Sequence, residues 1–103
     1  MIRPMDVITK NPRVEHRELT SGEAVLLHLD TAAYHGMNST GALIWTSIGE
    51  GATFEDLVAG VRRALDDPPA RLEEDVAAFV ESLVERDLLA VTAEGGAAAP
   101  DPG

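Results

Sequence analysis

The sequence lacks cysteine altogether and contains only four aromatic residues: two Phe, one Trp and one Tyr. Without cysteine the protein has no disulfide bond, no thiol nucleophile and no cysteine-ligated zinc. A fold of this size must then be held by packing alone. The absence of disulfide chemistry also favours a reducing compartment, and we expect the protein to be cytoplasmic.

Long hydrophobic runs and positive charge are also scarce. The longest apolar runs, such as residues 24–27, fall far short of the ~20 residues needed to cross a bilayer. Eight Lys and Arg face eighteen Asp and Glu, which gives a net charge of -10. Because this charge repels phosphate backbones and anionic lipids, we expect no nucleic-acid partner and no membrane partner. A charged partner should be basic.

The length of 103 residues allows one small domain and no second core. We predict a flexible N-terminal segment at 1–11, the packed domain at 12–92 and a disordered tail at 93–103. Within the N-terminal segment, Val7 and Ile8 could add a short strand or pack as a flap. The tail is rich in Gly, Ala and Pro and has no large apolar side chain whose burial could offset the loss of conformational entropy.

Short strands are predicted in the first part of this domain, where the pattern has period two or a short apolar run. We place strands at Arg13–Glu18, Glu23–Leu29 and Ala33–Met37. The tight connections favour an antiparallel meander. The middle segment has apolar groups on both faces and should be the central strand.

After Asn38 the period changes to 3.6, which predicts three helices. Asn38, Ser39 or Thr40 can cap the first, Thr53 the second, and Pro68 or Pro69 suits the first turn of the third. The predicted inner face of the third helix consists of Leu72, Val76, Phe79, Val80 and Leu83. The fold class is therefore α+β, a three-stranded antiparallel sheet followed by three helices (βββααα), with a short C-terminal strand near residues 88–91.

No constellation of catalytic or metal-binding residues is visible. The three histidines, His16, His28 and His35, fall on three different predicted strands and lack metal-ligand spacing. The acidic run at 73–75 points in several directions around a helix and is typical of a solvated face. We therefore expect no enzyme activity, no metal and no cofactor.

The predicted strand Ala33–Met37 lies at an edge of the meander and contains no Pro, Lys or Glu, the residues that usually protect such edges. Gly36 would let another backbone approach closely. A peptide could add here as a fourth strand and gain main-chain hydrogen bonds. The alternative is an ordinary edge that the protein covers with its own termini or a helix.

The segment Leu27-His28-Leu29-Asp30-Thr31, followed by the continuous run from Ala33 to Trp45, resembles the PqqD-like family. That family often reads L-D-x-x-x-G-x-Y-x-x-L-N-x-T-G-x-x-I-W. The similarity extends over residues 14–89. The sequence departs from the pattern mildly at Ala32, where a Gly or another turn former is common, and at Met37 in place of Leu.

This resemblance implies a winged-helix-like fold and a role in recognising leader peptides of ribosomally made, post-translationally modified peptides. Members bind the leader as an antiparallel strand against the third strand, with its side chains towards the third helix. Carried over to this sequence, the strand residues are Ala33, Tyr34, His35, Gly36 and Met37. The helix surface would be drawn from Leu72, Asp75, Val76, Phe79, Val80 and Leu83. Glu73 or Asp75 could pair with a basic leader residue.

The resemblance further implies a partner of a lasso-peptide pathway, which hands the leader to a separate protease and a macrolactam-forming cyclase. One alternative is a PqqD-type peptide chaperone for a radical-SAM enzyme. We expect a monomer or a weak dimer.

Another alternative, from a different class, is a winged-helix DNA-binding regulator. Residues 50–87 carry eleven acidic and four basic side chains, and this balance opposes contact with phosphates.

Overall fold

The computed structural model describes residues 2–93. The elements in chain order are β1 (Val7–Lys10), β2 (Val14–Glu18), β3 (Ala24–His28), β4 (Ala33–Met37), α1 (Ser39–Ile48), β5 (Ala52–Thr53), α2 (Phe54–Ala64), α3 (Leu72–Glu85) and β6 (Leu89–Thr92). The predicted α+β class is confirmed. The predicted order βββααα is not the observed order, because β1 precedes the meander and β5 separates the first two helices.

Two antiparallel sheets are present in residues 2–93. One is the predicted meander, with strand order β2-β3-β4 and β3 in the middle. Its register pairs Leu26 of β3 with His16 of β2 and with His35 of β4. The other sheet has the order β5-β1-β6 and joins the start of the chain to its end, because Ile8 lies opposite both Ala52 and Val91.

The packed domain extends further towards the N-terminus than the predicted boundary at residue 12. Val7–Lys10 is the middle strand of the second sheet, and Ile8 is fully buried. The strand is short and has little apolar patterning of its own, so its partners, which are distant in sequence, stabilise it. Of the tail predicted at 93–103, all but Ala93 lies outside the described residues.

Local capping explains where the first two helices begin. The side chain of Asn38 accepts a hydrogen bond from the Gly41 N–H at 2.8 Å, and Thr53 Oγ1 accepts one from the Asp56 N–H at 3.1 Å. Each bond satisfies a backbone donor that has no partner within the helix. Both predicted caps are confirmed.

The third helix begins at Leu72 after Arg71. The prediction that Pro68 or Pro69 lies in its first turn is therefore wrong, because both prolines precede the helix. It ends in a Schellman-type turn, in which Leu88 N–H bonds to Leu83 O at 2.9 Å and Asp87 N–H bonds to Val84 O at 3.0 Å. Asp87 takes the left-handed conformation, with φ of 62°. None of the helices within residues 2–93 is long and apolar enough to span a membrane.

The core lies between the two sheets and the helices, and Trp45 of α1 connects the two sheets. Only 2% of Trp45 is exposed. The His16 ring of β2 lies 6.4 Å from its ring, and Lys10 Nζ of β1 lies 5.0 Å from its centroid. The partial burial that this position imposes lowers the pKa of Lys10. The two sheets therefore meet at one indole ring.

Replacing Trp45 by Ala should remove this shared contact and leave a cavity. We expect the free energy of unfolding to fall by about 3–5 kcal/mol, which is enough to unfold much of so small a domain. Chemical denaturation followed by circular dichroism measures this. Tyr34→Ala is the control, because Tyr34 is 74% exposed and should change the midpoint little. Equal midpoints for the two variants would contradict the role given to Trp45.

The turn before β4 contains a strained residue. Ala32 has φ of 60°, a left-handed conformation that costs a non-glycine residue about 1–2 kcal/mol. This is the position at which the sequence departs from the glycine that the family resemblance leads us to expect. The departure is therefore tolerated at an energetic cost.

Ala32→Gly should raise the free energy of unfolding by about 0.5–1 kcal/mol, since relief of strain exceeds the added entropy of the unfolded chain. Ala33→Gly, one residue later within β4, is the matched control and should lower it, because glycine weakens a strand. Thermal denaturation of both variants measures the two signs. A loss of stability in Ala32→Gly would show that the turn is not strained.

Candidate functional site

The outer edge of β4 is unpaired within residues 2–93, because its only neighbour in the sheet is β3. The ladder shows which groups are free. Leu29 N–H bonds to Arg13 O and Leu19 N–H bonds to Glu23 O, both at 2.8 Å. By the alternation of antiparallel pairs, the odd-numbered residues of β3 bond to β2 and the even-numbered ones bond to β4.

Since Leu26 lies opposite His35, the backbone groups of His35 point inward to β3. The N–H and C=O groups of Tyr34 and Gly36 then point outward to the open edge. A second strand could bond to the main chain at these two residues. The predicted open edge is present, and the alternative of an edge covered by the protein itself is not seen in the described part of the chain.

The two faces of β4 differ in their surroundings. Met37 is buried and His35 is half-buried, and both face the core side of the sheet. Tyr34 and Gly36 share the opposite face, where Tyr34 borders a shallow apolar depression with Val25 and Leu27. A Cβ atom at Gly36 would meet nothing within 4 Å, so the space above this residue is open.

Most of the α3 residues that were predicted to line the peptide-binding surface are buried in the core. Four of them expose at most 2% of their surface and belong to the core: Leu72, Val76, Val80 and Leu83. They are not available to a peptide, because hydrophobic periodicity identifies the most buried face of a helix and not its border. Of the predicted residues on α3, Asp75 is exposed and Phe79 is half-buried.

Two residues that sequence reasoning missed continue the line of Asp75 and Phe79. Ser82 and Arg86 follow at helical spacings of i+7 and i+11 from Asp75, so all four side chains lie on one stripe beside the buried face. Ser82 is half-buried and Arg86 is exposed. Their spacings of i+3 and i+7 from Phe79 in the sequence could have identified both.

This stripe runs antiparallel to β4. A Cβ at Gly41 would lie 2.9 Å from the ring of Phe79 and 3.2 Å from Met37 Cβ, so the middle of α3 is beside the end of β4. Arg86 lines a cavity together with Ala33 and His35, which places the end of α3 beside the start of β4. We call the space between the open edge of β4 and the stripe of Asp75, Phe79, Ser82 and Arg86 the β4–α3 groove.

The Asn38-x-Thr-Gly41 block has a structural explanation at one end of this groove. Asn38 caps α1 directly after β4, and Gly41 allows the Phe79 ring to approach the helix backbone. A larger residue at position 41 would have to displace this ring. The motif therefore shapes the groove through packing.

At the other end, His35 and Arg86 interact electrostatically. Partial burial and the positive charge of Arg86 both lower the pKa of His35, with burial the larger cause. The groups that line the same cavity are His28, Thr31, Ala33, Tyr34, His35, Arg86 and Leu88. The neutral form of His35 is therefore favoured in the free protein.

His28 forms the inner wall of this cavity and is fully hydrogen-bonded. Its Nε2 lies 3.0 Å from Asp87 Oδ2, and its Nδ1 accepts the Asp30 N–H at 3.2 Å. This arrangement assigns the ring proton to Nε2. Asn11 Nδ2 also donates to the Asp87 backbone oxygen at 2.7 Å. The network fixes the turn after α3 against β3.

The acidic residues at the start of α3 are distributed over different surfaces. Glu74 pairs with Arg71 at 2.7 Å, and Glu73 lies beside α2 in a surface cavity that includes Arg62. Only Asp75 of this run lies on the groove stripe. Within residues 2–93, no group of three or more His, Asp and Glu side chains could hold a metal ion.

The sequence matches one protein family, and the structure is similar to two solved complexes with leader peptides. Residues 23–89 match the family model of coenzyme PQQ synthesis protein D (PqqD). A structure of TbiB1 in complex with the TbiA(beta) leader peptide is 28% identical, covers 79% of this chain and 93% of that chain, and has a TM-score of 0.69. A lasso peptide synthetase B1 complexed with the leader peptide is 25% identical, covers 81% and 96%, and has a TM-score of 0.65. No curated protein matches the sequence significantly.

The proximity of Arg86 to His35 can be measured by titration. In the wild-type protein the His35 ring should titrate below its ordinary pKa of 6.5. In Arg86→Gln the pKa should rise, because the repulsive charge is lost while the desolvation remains. NMR of the ring protons measures both values, with Arg63→Gln on α2 as the control. An unchanged His35 pKa in Arg86→Gln would show that Arg86 is too far from His35 to affect its protonation.

The free energy of unfolding should depend on pH through the same group. Because folding lowers the pKa of His35, the unfolded chain binds the proton more readily than the folded chain. The free energy of unfolding should therefore decrease as the pH falls from about 6.5 towards the lower pKa of the folded state.

Proposed function

Because this chain belongs to the PqqD family, we propose that it is a non-catalytic recognition module for the leader peptide of a ribosomally synthesised, post-translationally modified peptide. The leader binds as an additional antiparallel strand along β4. The observation that carries this proposal is the open edge at Tyr34 and Gly36, directly beside the β4–α3 groove. The two similar solved structures support it, since each contains a leader peptide.

The main chain provides most of the affinity in this mode of binding. Tyr34 and Gly36 each offer one N–H donor and one C=O acceptor to an added strand. Each hydrogen bond contributes about 0.5–1.5 kcal/mol net. These bonds do not depend on the peptide sequence, so they fix the position of the leader and leave its selection to side chains.

Side-chain selection follows from the pleat of the added strand. Its side chains alternate between the two faces of the sheet. One set points into the groove, beside Phe79 and the buried Met37, and the other lies over Gly36 and next to Tyr34. The open space above Gly36 admits a large side chain on that second face. Apolar residues at alternate positions of the leader are therefore favoured.

The similarity to a lasso peptide synthetase B1 favours a lasso-peptide pathway over a radical-SAM pathway. In that pathway the protein presents the bound leader to a separate leader protease and a cyclase. We also propose that the fold is winged-helix-like, that the protein is cytoplasmic and that it is a monomer or a weak dimer.

Gly36→Pro tests strand addition directly. Proline removes the outward N–H at position 36 and is tolerated where an edge N–H faces solvent, so the variant should fold. Affinity for the synthetic leader of the precursor encoded beside this gene should fall about 10-fold, through loss of one hydrogen bond and of local fit. Isothermal titration calorimetry measures the change.

Glu18→Pro is the matched control. Glu18 lies on β2, the opposite edge of the same sheet, and its N–H also points outward by the same alternation. We expect this variant to bind the leader as the wild-type protein does. If Glu18→Pro lost affinity and Gly36→Pro kept it, the leader would pair with β2 and the proposal would be wrong.

A further inference from the structure

We propose that the cavity between the start of β4 and the end of α3 binds the carboxylate of an Asp or Glu side chain of the bound peptide. This inference rests on the proposed function, because the peptide must lie along β4 to reach the cavity. It adds a chemical selection at one defined end of the groove, through Arg86, His35 and Thr31.

The size and lining of the cavity fit a carboxylate. Its volume is about 60 Å³, whereas a single water needs roughly 10–15 Å³. Three of the side chains that line it carry hydrogen-bond donors: the guanidinium of Arg86, the imidazole of His35 and the hydroxyl group of Thr31. The Thr31 oxygen accepts the Ala33 N–H at 3.3 Å, which leaves its hydroxyl proton to donate. No carboxylate belongs to the lining.

Arg86 has no acidic partner within residues 2–93. The arginine ion pairs in this part of the chain involve Arg13 and Arg71, and Asp87 is hydrogen-bonded to the neutral His28 ring. The neighbouring carboxylate of Asp87 does not line the cavity and is directed at His28 and Asn11, because its Oδ2 lies 3.0 Å from His28 Nε2 and 3.3 Å from Asn11 Nδ2. Arg86 is therefore the only fully charged side chain among the described residues that line the cavity, and its sign favours an anion as the ligand.

The cavity discriminates between anions and cations through its hydrogen-bonding groups. Both ring nitrogens of His28 are occupied by Asp87 and Asp30, so His28 adds shape to the wall and no free acceptor. A lysine or arginine of the peptide would meet Arg86 at close range. A carboxylate accepts charge-assisted hydrogen bonds from Arg86 and bonds from the two neutral donors. It would also offset the positive charge that disfavours protonation of His35.

The position of the cavity also predicts where the acidic residue lies in the peptide. A peptide antiparallel to β4 passes Met37 first and Ala33 last, so the acidic residue belongs to the C-terminal part of the bound segment. Asp75 marks the other end of the stripe, about 16 Å away along the helix. A carboxylate near that end would be repelled, which helps to fix the direction of the peptide.

The test is a double-mutant cycle with a fluorescein-labelled synthetic leader of the neighbouring precursor. Each Asp or Glu of the leader is replaced in turn by Asn or Gln, and affinity is measured by fluorescence anisotropy. At one position in the C-terminal part of the bound segment, the replacement should weaken binding to the wild-type protein about 10-fold. With Arg86→Gln, the same replacement should change affinity less than about 2-fold, because the partner charge is already absent.

Two further variants separate charge recognition from a merely structural effect. Arg86→Lys keeps the charge and should restore part of the discrimination, whereas Arg63→Gln on α2 should leave it intact. Equal leader affinity of the wild-type protein and Arg86→Gln would overturn this proposal, as would equal losses for every amide replacement in both proteins. If Gly36→Pro still weakened binding in that case, strand addition would stand and only the carboxylate site would fail. Absence of any leader binding would remove both.

Discussion

The burial of one face of α3 determines the geometry of the whole site. Leu72, Val76, Val80 and Leu83 anchor the helix in the core, and their periodicity fixes its rotation about its own axis. The neighbouring stripe, from Asp75 to Arg86, is thereby held beside β4 and cannot turn away. A groove of defined width and polarity follows from apolar packing alone, before any peptide is considered.

The same packing explains why the sequence pattern of the family can indicate its function although the residues of the pattern need not contact a peptide. Asn38 ends β4 and starts α1, and Gly41 admits the ring of Phe79. Neither side chain needs to touch a peptide for the block to matter. The residues most characteristic of the family therefore position the strand and the groove, while the outward N–H and C=O groups of the open edge belong to the main chain of Tyr34 and Gly36.

Sequence patterning predicted the meander, the capped first two helices and the buried face of the third, since these depend on local periodicity and capping. It left β1 only as one of two possibilities for Val7 and Ile8 and did not predict β5, because each strand is too short to have a pattern of its own and is stabilised by pairing across the fold. At the site, it identified β4 as an open edge. It missed Arg86, because a polar residue at the border of a helix face carries no hydrophobic signal.

The two edges of the meander explain why a peptide should choose β4. The strand β2 reads Val-Glu-His-Arg-Glu, and charged side chains of this kind protect an edge against pairing. The strand β4 reads Ala-Tyr-His-Gly-Met and has no such protection. Copies of the protein repel one another through their net charge of -10, which opposes pairing of two β4 edges. The bare edge of β4 is therefore more accessible to a peptide than the charged edge of β2, while the repulsion between copies disfavours its use by a second copy.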